Sequence, residues 1–292
     1  MEKAARIYSN SDTSGVNRPG TMRIISLSPA VTEILFTLGK AHSLVCRDQF
    51  SDYPEAASDI PLVKGHQKID VQEVLSYKPD LVFASTLVQA KLAEELRAAK
   101  LQVIHQDPRS LSEVEHSFLE IGVLLECEER ARELSLQFRQ TLNEVKKRAR
   151  ALPRHPRVYI EEWHHPPMVS GNWVPEVVKI AGGIPFDIGT IGKELGSKNY
   201  EVRMDGKNPP SREVSLQEIQ AFDPELIVLS ICGAGALAKK ELLTDRPGWA
   251  TLPAVREGRV RVIDDSLLNR PGPRLVEGAR RLYSWMFELL HS

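Results

Sequence analysis

One eight-residue phrase occurs twice in this chain in nearly the same wording: KPDLVFAS at 78–85 and DPELIVLS at 223–230. Each copy follows a short helical pattern, Val71–Leu75 before the first and Leu216–Ala221 before the second. A turn at the Lys-Pro or Asp-Pro step then leads into a short apolar run, the mark of a buried strand. Repetition of one supersecondary unit predicts two lobes built alike.

The segments around each copy agree. Arg23–Leu27 (RIISL) is an apolar run that stops at Ser28-Pro29. Pro29 suits a first helical turn, and Val31, Ile34, Leu35 and Leu38 recur at helical spacing before Gly39 caps the end. Leu81–Ala84 and Val103–His105 read as strands, Ala90–Ala99 and Leu111–Leu125 as helices. After residue 157 the alternation restarts, with strands at Val158–Glu161, Leu226–Ser230 and Val260–Ile263. The helices of this half are Val174–Ala181, Leu216–Ala221 and Leu275–Leu290. Short apolar strands alternating with helices predict an α/β fold with parallel sheets covered on both faces.

Glu126–Leu152 is different: rich in Glu, Arg, Gln, Lys and Leu, it holds no Gly or Pro, and Leu134, Phe138, Leu142 and Val145 form one stripe. About 25 helical residues span roughly 37 Å, enough to bridge two lobes, although a surface helix of one domain has the same pattern. The expected organisation is a disordered tail (1–21), an N-terminal lobe (22–125), a connecting helix (126–153), a C-terminal lobe (154–274) and a terminal helix (275–292). Two Rossmann-like lobes on one rigid helix would leave a ligand cleft between them.

A net charge of −1 removes the broad basic face that nucleic acid or an anionic membrane needs. Cys46, Cys127 and Cys232 are dispersed and form neither a disulfide framework nor a zinc pattern. Residues 1–21 lack a basic start followed by an apolar run of about 7–15 residues, and no stretch approaches the ~20 apolar residues of a membrane span. The expectation is a cytosolic protein, or a periplasmic one if the start of the chain was trimmed.

Longer phrases narrow the class. RIISLSPAVTEILFTLG, then SDYP at 51–54, then KPDLVFAS resemble the binding proteins that serve cobalamin, haem and iron-siderophore importers, of the class III periplasmic-binding-protein type. EEWHHPPMVSGNWVPEVVKIAGG (161–183), PGWATLPAVREGRVRVID (247–264) and NRPGPRLVEG (269–278) are similar to a cobalamin-binding subgroup. The resemblance runs from about Arg23 to the C-terminal helix. It implies two lobes joined by a rigid helix, and cobalamin or a related corrinoid as ligand. Phe50 matches an aromatic residue of the family's cleft, whereas His66 and Ser211 stand where two further aromatics are expected. Arg270 matches a polar cleft residue. The family docks to its permease through one exposed Glu per lobe. Gln72 and Gln217 take those places and cannot form the charge-assisted pair, although Glu73 and Glu218 are adjacent. That argues against importer docking, and a monomer is the default.

The candidate ligand-binding residues are therefore Ser28, Phe50, His66, Trp163, His165, Trp173, Cys232, Asn269 and Arg270. His66 could ligate a ligand-borne cobalt or iron through a ring nitrogen, or stand on the rim as a plain polar residue. Trp163 and Trp173 could stack on a flat ligand or pack in a core. His164 and His165 point apart on an extended segment, which makes a shared metal improbable. Cys232 could border the cleft or fill a small buried space. Arg270 could bind a propionamide, carboxylate or phosphate, or pair with Asp264 or Asp265. No nucleotide-binding loop, GxSxG or HExxH motif is present. The leading expectation is a binder of a corrinoid, tetrapyrrole or metal chelate that stores, senses or delivers it inside the cell. The alternatives are an importer's substrate-binding component, and an enzyme using the same cleft through His164, His165 or Glu162.

Overall fold

The computed structural model describes residues 21–186 and 209–291. The expected tail, residues 1–21, lies outside them apart from Thr21. The chain divides into two compact units. The first holds residues up to Pro108 with Glu115–Leu136, and the second holds Arg109–Val114 with residues from Gln137 onward.

The first unit opens with β1 (Ile24–Ser26), α1 (Pro29–Thr37), β2 (Leu44–Asp48), β3 (Leu62–Val63), α2 (Val71–Ser76), β4 (Leu81–Ser85), α3 (Ala90–Ala98) and β5 (Val103–Gln106). Its described sheet has the order β3-β2-β1-β4-β5, with every pair parallel. The order reverses between β1 and β4, and open α/β sheets take ligands outside the carboxyl ends of the strands at that point. Ser28 starts α1: its hydroxyl accepts from the Val31 N–H at 3.4 Å, and Pro29 follows in the first turn. Ile25, Leu27, Val82, Ala84, Leu92 and Leu96 fill the core against Val63 and Val74.

The sequence pattern missed β2. Its residues, LVCRD, are all buried, but they end in a charged pair that disguises the strand. Arg47 is accommodated because its Nε donates to Ala57 O at 2.7 Å and its Nη1 to Asp48 O at 3.1 Å.

Next come α4 (Leu111–Leu124) and α5 (Glu128–Ala149). The expected long helix is therefore 22 residues, about 33 Å, and the division between the units falls within it, after Leu136. Glu128 and Glu129 lie in its first turn and Lys146, Lys147 and Arg148 in its last, the arrangement a helix dipole favours.

The second unit contains β6 (Arg157–His164), β7 (Pro167–Val169), α6 (Val174–Ile180), β8 (Ile184–Pro185), β9 (Arg212–Glu213), α7 (Leu216–Phe222), β10 (Leu226–Leu229), α8 (Glu241–Thr244), α9 (Pro253–Arg256), β11 (Val260–Val262) and α10 (Leu275–His291). Its described sheet runs β11-β10-β6-β7-β9, and β8 pairs with the start of β6. The β6, β10 and β11 pairs are parallel, whereas β7 is antiparallel to both β6 and β9. One core face gathers Tyr159, Phe186, Phe222 and Trp249.

The repeated phrase is a repeated structure. Lys78 and Asp223, which end α2 and the matching α7, have φ of +47° and +48°. Arg23 donates to Lys78 O at 3.0 Å and Arg157 to Asp223 O at 2.7 Å, each clamping one helix end. The N–H of Arg23 donates to Asp80 and that of Arg157 to Glu225, so the acidic residue of each KPD or DPE step anchors the first strand of its own unit.

In α10, Gly278 lies against the 265–267 turn: a Cβ there would fall 2.2 Å from Leu267 O and 2.8 Å from Leu268 Cδ2. Gly278→Ala should cost about 1–3 kcal/mol through overpacking, despite alanine's better helix propensity. Urea unfolding of the full chain checks this, and a neutral or stabilised variant would contradict the close packing.

Candidate functional site

At the carboxyl end of the first unit's sheet, β2 runs into Phe50, and the turn after β3 carries His66. The Phe50 and His66 rings meet edge to face, 5.5 Å between centroids. Both side chains are half-buried, His66 at 32% exposure. Behind His66 lies Asp48, the last residue of β2, at 0% exposure. One Asp48 oxygen accepts from the Ser51 hydroxyl at 2.5 Å, while the other makes no hydrogen bond and lies 3.4 Å from His66 Nδ1. Gln89 Nε2 is 3.3 Å from the same ring nitrogen, but its two hydrogens go to Leu27 O at 2.8 Å and His66 O at 3.1 Å. The buried Asp48 carboxylate and the Gln89 amide thus both lie on the Nδ1 side of the His66 ring. A histidine that ligates a metal through one ring nitrogen commonly has such a partner at the other.

Ser28 lies at the same strand ends but is buried, its hydroxyl spent on capping α1 and its carbonyl accepting from Ser26 Oγ at 2.9 Å. Asp48 and Gln89 belong to this site and were not legible in the sequence.

The second unit presents a separate group at the carboxyl ends of β6 and β10. Trp163 is 41% exposed, and its indole N–H donates to His165 O at 3.0 Å. His165 is exposed. His164 Nδ1 is buried with no hydrogen bond. Trp173, expected as a possible stacking surface, is in the core instead: its ring is buried and its N–H donates to Leu268 O at 2.7 Å. Asn269 donates to Ser230 O at 2.6 Å and to Cys232 Sγ at 3.1 Å, joining two of the expected residues. Cys232 is exposed as a residue, while its sulfur is held against Asn269 and largely removed from water. Burial of its sulfur and the negative charges of Glu162 and Asp265 push the thiol up to about 12, so it stays protonated and is a poor metal ligand. Arg270 is half-buried, and its charge acts on Asp265, which accepts from the N–H groups of Gly233 and Gly235 at 3.0 and 2.8 Å.

Among its described residues the same unit also holds two buried ion pairs. Glu161, at 0% exposure, is held by both terminal nitrogens of Arg246 and by the Tyr159 hydroxyl at 3.0 Å. Arg212 pairs with Glu218 at 2.7 Å, and Glu218 closes a capping box with Ser215 at the start of α7. The Arg212 pair and the Ser215 hydrogen bonds hold the Glu218 carboxyl below its ordinary value, outweighing burial. Glu218 is thereby removed as an alternative docking residue. Gln217 is exposed on α7, and Gln72 and Glu73 are exposed on the matching α2. Among the described residues no three of His, Cys, Asp and Glu converge as a metal site, and no helix is long and apolar enough to cross a membrane.

Residues 24–267 match the sequence model of the family described as periplasmic binding protein. The vitamin B12-binding protein of Vibrio cholerae serotype O1 is 26% identical over 269 residues, 90% of this chain and 88% of that protein. An uncharacterized ABC transporter substrate-binding lipoprotein of Bacillus subtilis, YvrC, is 28% identical over 285 residues, 94% of this chain and 82% of that protein. The apo periplasmic heme-binding protein RhuT from Roseiflexus sp. RS-1 superimposes with a TM-score of 0.77 at 24% identity, covering 93% of this chain and all of that one. These matches overturn the expected cytosolic location, since the family is described as periplasmic, YvrC as a lipoprotein and RhuT as periplasmic. A targeting segment is read by the export machinery and adds nothing to the sheets, so the first residues were a poor guide to compartment. Two α/β units with parallel-rich sheets, and a family match over nearly all of both, establish that this chain belongs to the periplasmic binding protein family.

Proposed function

We propose that this chain is the substrate-binding component of an importer for a flat metal chelate, a corrinoid such as cobalamin or a haem, with His66 as a ligand to the metal. The observation that carries the reading is the arrangement of Phe50, His66 and Asp48. An aromatic ring meets an imidazole whose Nδ1 lies 3.4 Å from an unsatisfied buried carboxylate oxygen, a partner of the kind that orients metal-ligating histidines. The relatives named for vitamin B12 and heme support the ligand class. Trp163, His165, Cys232, Asn269 and Arg270 are the proposed contacts of the second unit. The role is binding and delivery rather than catalysis. At the docking positions, exposed Gln72 and Gln217 offer a permease neutral hydrogen-bonding groups in place of two charges.

Visible absorption titration with aquocobalamin, cobinamide and hemin tests this. At least one should give a saturable band shift in the wild type. His66→Ala should abolish that shift and weaken binding about tenfold or more, as expected for a lost charge-assisted or metal-ligand contact of ~1.4 kcal/mol or more. A well-folded wild type that gives no shift with any of the three would refute the function. An unchanged shift in His66→Ala would refute His66 as the ligand.

A further inference from the structure

Glu162 is the residue that the β6–β7 ladder leaves over. Glu161 pairs with Val169 and Trp163 with Met168, so Glu162 occupies a bulge, and a bulge re-aims the side chain it carries. The Glu162 backbone is itself held, its carbonyl accepting from the Cys232 N–H at 3.0 Å. Around its half-buried carboxyl group lie neutral polar groups. Ser170, 3% exposed, and Ser211 both present their hydroxyls to that carboxyl. Ser211 Oγ accepts from the Gly171 N–H at 2.9 Å, which leaves its own proton to donate. The Cys232 sulfur, acted on by the Glu162 charge, is fixed by Asn269.

Among the described residues the charged groups nearby are committed elsewhere. On the same strand Glu161 is taken by Arg246, and His164 keeps a buried, unbonded Nδ1. From the β10 turn and the 264–270 segment come Cys232, which stays a thiol, and Asp265, with which Arg270 interacts. Among the described residues Glu162 thus faces hydroxyls and a thiol rather than a cation.

We infer that Glu162, with the Ser170 and Ser211 hydroxyls and the Cys232 thiol, forms a subsite that selects an uncharged carboxamide arm of the ligand over a carboxylate arm. This rests on the reading of the ligand as a flat chelate with such arms at its rim. A primary amide supplies two N–H donors to a carboxylate and one carbonyl to a hydroxyl or thiol donor, so every group is satisfied. A carboxylate arm brings acceptors alone and a second negative charge, and one of the two anions must then take up a proton. Burial already pushes the Glu162 carboxyl up to about 7, with the Ser211 and Ser170 hydroxyls only partly opposing it. Between corrinoids and haem, the subsite therefore favours the amide-armed corrinoids.

Two corrinoids with the same ring test this: cobinamide, whose arms are amides, and cobyrinic acid, whose arms are carboxylates. The full-length chain should bind cobinamide at least about tenfold more tightly at about pH 8.5, with the preference shrinking at about pH 6, where Glu162 is protonated. Glu162→Gln should reduce the preference several-fold and make it independent of pH. Ser170→Ala, which removes no charge, should weaken cobinamide binding and leave the pH dependence in place. Equal binding of the two corrinoids by the wild type, or an unaltered preference in Glu162→Gln, would overturn the subsite while leaving the chelate reading intact. Binding of neither corrinoid would overturn the subsite, and failure to bind hemin as well would overturn the chelate reading.

Discussion

Replacing Arg246 by Ala should destabilise the second unit by about 3–5 kcal/mol, because it leaves a carboxylate buried without its cation. Both Glu161 oxygens are held by the Arg246 guanidinium, which also lies 4.7 Å above the Trp249 ring. The Tyr159 hydroxyl is the remaining hydrogen-bond donor to Glu161 among the described residues. Even in the intact pair, burial raises the Glu161 carboxyl against the pull of Arg246. Without Arg246 it rises further, so the native variant binds its proton more tightly than the unfolded chain does. Stability of the variant then falls as pH increases through the interval above the unfolded carboxylate value, and the measured loss is larger at about pH 8 than at about pH 5. Replacing both partners with apolar residues, Glu161→Leu with Arg246→Met, should recover much of the loss. Urea unfolding at both pH values decides. A loss below about 1 kcal/mol for Arg246→Ala at the higher pH would mean that the pair is not a buried support of β6.

Glu162→Gln should flatten the dependence of stability on pH, in the absence of any ligand. The Glu162 carboxyl lies at about 7 in the folded chain against an ordinary 4.5. A raised carboxylate means that the folded state holds a proton the unfolded state has lost. Its contribution is fully present below the unfolded value and disappears as pH rises through the folded one. Between about pH 4.5 and 7 the wild type should lose about 2–3 kcal/mol that the glutamine variant keeps, allowing for the partial exposure of the group. Thermal melts across that interval should show the variant relatively more stable at the alkaline end. Parallel curves would place Glu162 in contact with water rather than within the polar cluster.

These two neighbouring glutamates show where sequence reasoning stopped. Both stand in EEWHH with nothing to distinguish them. Alternation along β6 sends Glu161 into the aromatic core, and the bulge leaves Glu162 among Ser170, Ser211 and Cys232. The bulge depends on which residues of β7 pair with which of β6, a register that no local pattern states. Trp163 and Trp173 were likewise equal as candidates, and burial separated them: one is exposed, and the other donates its N–H to Leu268 O.

The two-lobe α/β plan was determined by the chain on its own. Its carriers are local: apolar periodicity, Ser28-Pro29 opening α1, and the KPD and DPE steps that end α2 and α7. Such signals act within one or two turns of chain, where the physics of capping and strand burial is already complete. Only the tertiary structure decided the site. Asp48, His66 and Gln89 come from three separate segments, and they meet because β3, β2, β1 and β4 lie side by side in a parallel sheet and end on the same side of it. The value of an orphaned carboxylate oxygen, or of an imidazole held by its far nitrogen, exists only after burial has removed the water that would otherwise satisfy both.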